Sequence, residues 1–289
     1  MGGTKLPGPS LERRVELCHC CATMNGRAAV VLLLTALAAC ARGGPVPSFA
    51  TKPFEPFNRT DAVAIALREW RLFGQPVEDA PPSARPRPRP DEKAERLPGL
   101  WQRVGEYWWV GLQAEAPEAL WTGKHDQNGS VFPASVDGRY AWSAAFISYV
   151  MRIAGAGERF PYAADHAAYV NAAAAGKSPV LRAERPESYA PKLGDLICHG
   201  RNQAAGLRFA DLPTRDFWPG HCAIVAAAAP GELSVIGGNV NDAVAMIHVP
   251  VTEGGMLARA DRTVVDSRYP WLVVLEVLYD AEAEPAADE

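Results

Sequence analysis

The sequence predicts an α+β domain, N-terminal helices packed on an antiparallel sheet, set behind a loosely built N-terminal stretch. Three observations predict it. Between residues 97 and 176 the apolar residues recur at helical spacing. After Pro191 the period shortens to that of strands, and the strands come as a run instead of alternating with helices. Apolar residues make up 48% of the 289 positions, enough for one sizeable core, whereas many of the 25 prolines fall before residue 100.

The first element is an export signal. Met24-Asn25-Gly26-Arg27 is a short positive start, and Ala28 to Ala39 form an apolar run broken only by Thr35. A bilayer takes roughly 20 apolar residues to span, so this run has the length of a signal-peptide core and not of a membrane helix. It ends in Leu37-Ala38-Ala39-Cys40, which resembles the lipobox of bacterial lipoproteins. That resemblance implies cleavage before Cys40, a lipid on its sulfur, and a protein anchored in the cell envelope facing the periplasm. Residues 1–23 do not fit in front of such a signal, and translation is expected to start at Met24. Their Cys18-His19-Cys20-Cys21 cluster has no second ligand pair at a zinc-site spacing.

Residues 40–57 are rich in Gly and Pro and read as a tether. Residues 58–74 read as a helix, with Thr60 as cap, Asp61 in the first turn and Gly74 at the end; whether it docks is open. Residues 75–96 contain the Pro- and charge-rich run PPSARPRPRPDEKAER and read as an extended linker. Residues 97–280 form the domain, and 281–289 an acidic tail.

Within the domain, Leu100, Trp101, Val104, Tyr107, Trp108 and Leu112 make an aromatic stripe that reads as core. Residues 121–140 are dense in turn formers and form a loop. Trp142 to Ala154 is a strong helix closed by Gly155, and an Ala-rich helix capped by Asp165 stops near Gly176. Asp195–His199, His221–Ala226, Leu233–Ile236, Val244–Val251 and Trp271–Tyr279 read as strands.

A formal charge of −4 gives no basic face for nucleic acid. The chemistry is carried by four segments in a fixed order: Trp142-Ser143-Ala144-Ala145-Phe146-Ile147-Ser148, Gly194-Asp195-Leu196-Ile197-Cys198, Gly220-His221-Cys222-Ala223-Ile224-Val225, and Ile236-Gly237-Gly238-Asn239-Val240. Over residues 97–279 this set resembles the papain-like cell-wall peptidases and amidases of the NlpC and CHAP types. It resembles more closely the bacterial family DUF2272, a domain of unknown function. The resemblance implies a papain-like fold with Ser143 as nucleophile, His221 as base and Asn239 as its orienter. Ala144 would contribute to an oxyanion hole, His166 and Tyr169 would line the cleft, and Asp195 would be structural.

The physics of that arrangement is simple. A helix start offers unpaired N–H groups and the positive end of a dipole to a developing oxyanion, and a neighbouring imidazole takes the nucleophile's proton. The departure from the peptidases is Ser143, where they carry Cys. A hydroxyl does not ionise at rest, so it depends wholly on its base. Two functions follow: a hydrolase of peptidoglycan-related amide or ester bonds, or an inactive domain that binds wall peptides or a partner protein. No cofactor is expected. A zinc site of Cys198, His199, His221 and Cys222 is disfavoured, because strand neighbours point to opposite faces. Whether Cys198 and Cys222 pair is open. Each site residue has a plain rival: Ser143 as helix cap, His221 as core histidine, Asn239 as turn residue.

Overall fold

The computed structural model describes residues 56–112 and 116–280. The signal segment, Cys40, nearly all of the tether and the acidic tail lie outside them. The architecture is α+β, a mixed set of helices on an antiparallel sheet.

Among the described residues four α-helices come in chain order: α1 (Arg59–Leu72), α2 (Leu100–Leu112), α3 (Ser143–Ile153) and α4 (His166–Ala174). Six strands form one sheet: β1 (Leu181–Glu184), β2 (Leu196–Gly200), β3 (Gly220–Ala229), β4 (Glu232–Val240), β5 (Ala243–Pro250) and β6 (Trp271–Val277). Their spatial order is β1-β6-β2-β3-β4-β5, with every neighbouring pair antiparallel. Strands β2 to β5 are a meander; β6 then returns to lie between β1 and β2. The four-residue β1 escapes sequence reading, because Leu-Arg-Ala-Glu shows too little alternation to mark a strand.

Alternation along the strands builds two apolar layers. Leu196, Cys198, Cys222, Ile224 and Ile236 face the helices with Trp108, Trp142 and Phe146. Ile197, Ala223, Val225, Val235 and Val274 face the other way, onto Leu257, Tyr269 and Trp271. Helix α1 docks: buried Glu69 accepts from Arg103 Nε at 2.6 Å and from the Tyr107 hydroxyl at 2.8 Å, both on α2. Its cap is Asn58, not Thr60, since the Asn58 side chain accepts from the Asp61 N–H at 2.8 Å.

The Pro- and Arg-rich stretch carries no α-helix or strand, yet it is no free linker. Val77 bridges Met246 on the edge strand β5, with Glu78 N–H donating to Met246 O at 2.9 Å. Asp79 accepts from the His248 N–H at 2.8 Å. Composition read the prolines and charges as solvated; the chain instead uses its backbone to cover an otherwise unpaired sheet edge.

Two further expectations are resolved. Cys198 and Cys222 are cross-strand partners of β2 and β3 and form a disulfide. The next pair along, His199 and His221, consequently shares the opposite orientation.

Candidate functional site

Ser143 is the first residue of α3. The helix starts without a side-chain cap, so Ser143 is not the capping residue, and its hydroxyl is free for another partner. The first-turn N–H groups of Ser143 and Ala144 precede the first intrahelical bond, Phe146 N–H to Trp142 O. Gly238 on β4 allows this helix start to approach: a Cβ there would lie 2.5 Å from the Phe146 Cβ.

The imidazole that meets Ser143 is His166. Ser143 Oγ and His166 Nε2 share a hydrogen bond of 2.7 Å, and the other ring nitrogen, Nδ1, bonds the Tyr169 hydroxyl. Local sequence explains the placement. Asp165 caps α4 by accepting from the Ala168 N–H at 2.9 Å, so His166 is the first helical residue and Tyr169 sits one turn later on the same face. Ser143, His166 and Tyr169 are 5%, 3% and 0% exposed. Burial holds the His166 imidazole well below its ordinary pKa, helped by the nearby charges of Arg201 and His199. Burial likewise holds the Tyr169 phenol well above its ordinary range, so it stays a neutral hydroxyl.

His221, the expected base, makes no hydrogen bond to Ser143. Both its ring nitrogens are buried without a hydrogen-bond partner among the described residues. Its ring lies 5.5 Å from that of His166 and 5.7 Å from that of His199, centroid to centroid. The β3–β4 ladder stops at Ile224↔Ile236, and the His221 ring packs against Gly237, where a Cβ would come within 2.7 Å of its Nε2. Burial drives the His221 pKa well down, with Arg201 next in effect.

Asn239, the expected orienter, makes no hydrogen bond to His221, whose ring nitrogens have no partner among the described residues. Asn239 occupies the left-handed region, φ 55°, inside the β4–β5 register shift between Gly237 and Val240. Asn tolerates that conformation better than most residues, and the turn reading accounts for it. The two preceding glycines, which look like turn markers, serve instead as close-approach points for His221 and for α3.

Asp195 sits at the entrance of β2, fully buried. It accepts from the Tyr189 hydroxyl at 3.0 Å, from Lys192 N–H at 2.9 Å and from Val277 N–H at 3.1 Å, a structural tie between β2 and β6. His125 bonds Thr122 Oγ1 at 3.1 Å and packs on Trp101; His248 bonds Asp79 Oδ2 at 2.8 Å. Neither lies with Ser143.

Two further buried groups lie near the site: Glu95 went unread in the sequence, and His199 was weighed there only as a zinc ligand. Glu95, from the presumed linker, is 3% exposed and accepts from Trp142 Nε1 at 2.7 Å, the residue before Ser143. Burial, with Asp242 next in effect, pushes its carboxyl up to about 8. His199, partnered across the strands with His221, is 4% exposed, and burial pulls it down to about 4. No local signal marks Glu95; for His199 the signal was its neighbour Cys198, whose pairing with Cys222 sets His199 opposite His221.

No curated protein and no solved structure shows significant similarity to the chain. The profile of the uncharacterized proteins conserved in bacteria designated DUF2272 matches residues 95–277, from Glu95 to the end of β6. The chain therefore belongs to the DUF2272 family.

Proposed function

We propose that the protein is an envelope lipoprotein, held by a lipid on Cys40, whose papain-like domain hydrolyses peptidoglycan-related amide or ester bonds with Ser143 as nucleophile and His166 as base. The observation that carries this reading is the 2.7 Å contact between Ser143 Oγ and His166 Nε2 at a helix start. Tyr169 selects the useful tautomer if its oxygen accepts from Nδ1–H, which leaves the Nε2 lone pair facing the serine proton. As Oγ attacks a carbonyl carbon, its proton passes to Nε2 and the carbonyl electrons move onto oxygen. The N–H groups of Ser143 and Ala144 are the natural donors to that oxyanion. Collapse expels the amine or alcohol, which takes the proton from His166. Water then repeats the sequence on the acyl-serine. A neutral tyrosine stabilises imidazolium less than a carboxylate would, so the base is weak and turnover is expected to be slow.

A second reading, a binding domain without turnover, is favoured by one observation: Ser143, His166 and His221 are each 5% exposed or less. The two are separated by a fluorophosphonate probe on the full-length protein in detergent. Labelling of wild type that Ser143→Ala and His166→Ala both abolish, with His221→Ala still labelled, supports the hydrolase. Absence of labelling alongside stoichiometric binding of wall fragments supports the binding domain. For the anchor, Cys40→Ser is expected to move the protein from the membrane to the soluble periplasmic fraction; unchanged membrane association would refute it.

A further inference from the structure

A second polar site lies at the far end of the histidine row from Ser143. It is a cavity of about 410 Å³ whose walls include Arg85, His199, Arg201, Asn202, Arg268 and Tyr269. Its cations are not equivalent. Arg85 is engaged by Glu78, with Nη2 donating to Glu78 O at 2.7 Å and Nε 3.3 Å from the carboxylate. Arg268 is engaged by Asp266, Nε to Oδ1 at 2.8 Å. Arg201 donates its backbone N–H to Pro219 O at 2.7 Å, but its guanidinium has no carboxylate or hydrogen-bond partner among the described residues. Burial lowers its pKa, and Arg85 adds to the effect. A half-buried guanidinium without a counter-charge is costly unless something external supplies one.

His199 sharpens the chemistry. Its Nδ1–H donates to Gly200 O at 3.0 Å, which fixes the tautomer of the neutral ring and leaves Nε2 as an acceptor. That nitrogen is buried and has no partner among the described residues. The cavity therefore offers one uncompensated positive charge and one vacant acceptor. The complement is a single negative charge with a hydrogen-bond donor close to it. A peptide's free C-terminus has this form, a planar carboxylate for the guanidinium fork and an adjacent amide N–H for the imidazole. A phosphate dianion fits less well, since it exceeds the one free charge.

We propose that this cavity binds the free carboxyl terminus of a peptide, with Arg201 pairing the carboxylate and His199 Nε2 accepting from the terminal amide N–H. Binding does not require hydrolysis at Ser143. The test is calorimetric titration of the full-length protein in detergent with acetyl-Ala-Ala, its C-terminal carboxamide and inorganic phosphate. The free acid is expected to bind at least tenfold more tightly than the carboxamide, and Arg201→Gln to lose that preference while Ser143→Ala keeps it. Arg201→Lys, which retains the charge without the fork, is expected to fall between. Equal affinity for acid and carboxamide, binding of phosphate alone, or no binding of any probe would each overturn the assignment on the wild-type protein, whatever the variants do. If Ser143 proves unreactive while the acid still binds, the hydrolase reading fails and this one stands.

Discussion

Two adjacent rungs of the same β2–β3 ladder end in opposite ways. Cys198 and Cys222 close on each other as a disulfide beneath the helices; His199 and His221, one residue along, leave three of their four ring nitrogens without a partner among the described residues. A few ångströms further, His166 has both nitrogens engaged, one by Ser143 and one by Tyr169. Buried polar groups are ordinarily satisfied, because an unmade hydrogen bond costs the full desolvation of the group. A disulfide rung and a saturated imidazole are what a core needs. An unsatisfied imidazole in the wall of a cavity, as His199 is, is what a ligand needs.

The largest effect that would break this contrast is on reactivity. If the satisfied cluster is the reacting one, Ser143→Ala should lower probe labelling by roughly 10³-fold or more, with little change in melting temperature. An equal loss in His221→Ala would shift the centre of gravity back to the unsatisfied rung. Next in size is the disulfide: Cys198→Ala with Cys222→Ala is expected to cost about 3 kcal/mol in denaturant melts, as for a closed loop of this length. A cost near zero would mean the rung is packing alone.

The pH dependence of stability separates the groups by sign. His199 folds at about 4, below the 6.5 of the open chain, so between those values the unfolded state binds the extra proton. Its contribution is complete above 6.5 and falls by about 1.4 kcal/mol per unit as pH drops toward 4. Glu95 behaves oppositely, being raised from 4.5 to about 8. Its contribution is complete below 4.5 and is lost as pH rises through 8. Urea melts across pH 4 to 9 should therefore show a dome that His199→Phe flattens on the acid side and Glu95→Gln on the alkaline side. A dome unchanged in both variants would remove these two groups from the account.

The smallest effect is also the most discriminating. Replacing an orphaned imidazole by an apolar side chain removes an unmet desolvation cost, whereas replacing a bonded one strands its partners. His221→Leu is expected to stabilise by about 1 kcal/mol, and His166→Leu to destabilise by about 2 kcal/mol, both at pH 7.5. The same sign for both would erase the distinction between the two sets of histidines.

Much of the frame was readable along the chain. Helical spacing found the Trp-rich helix, Asp165 marked the start of its neighbour, and strand periodicity found five of the six strands, because each depends on residues within a few positions. The Ser143 motif was also legible as a helix start. Its partner was not. His166 and His221 lie 23 and 78 residues beyond Ser143, and nothing local says which of them the folded chain brings to it. The same holds for Glu95 and Arg201: composition assigns a charged residue to solvent, and only packing reveals one left inside.

What the amino-acid order determined by itself was the class of fold, the family, and the polar residues available for chemistry. What the tertiary structure decided was which of those residues touch. Periodicity and capping are short-range energies that a few neighbours fix. The pairing of a hydroxyl with one imidazole over another depends on the end of a ladder, a docked helix and the absence of a Cβ at Gly237 and Gly238, terms that exist only after the chain has closed on itself.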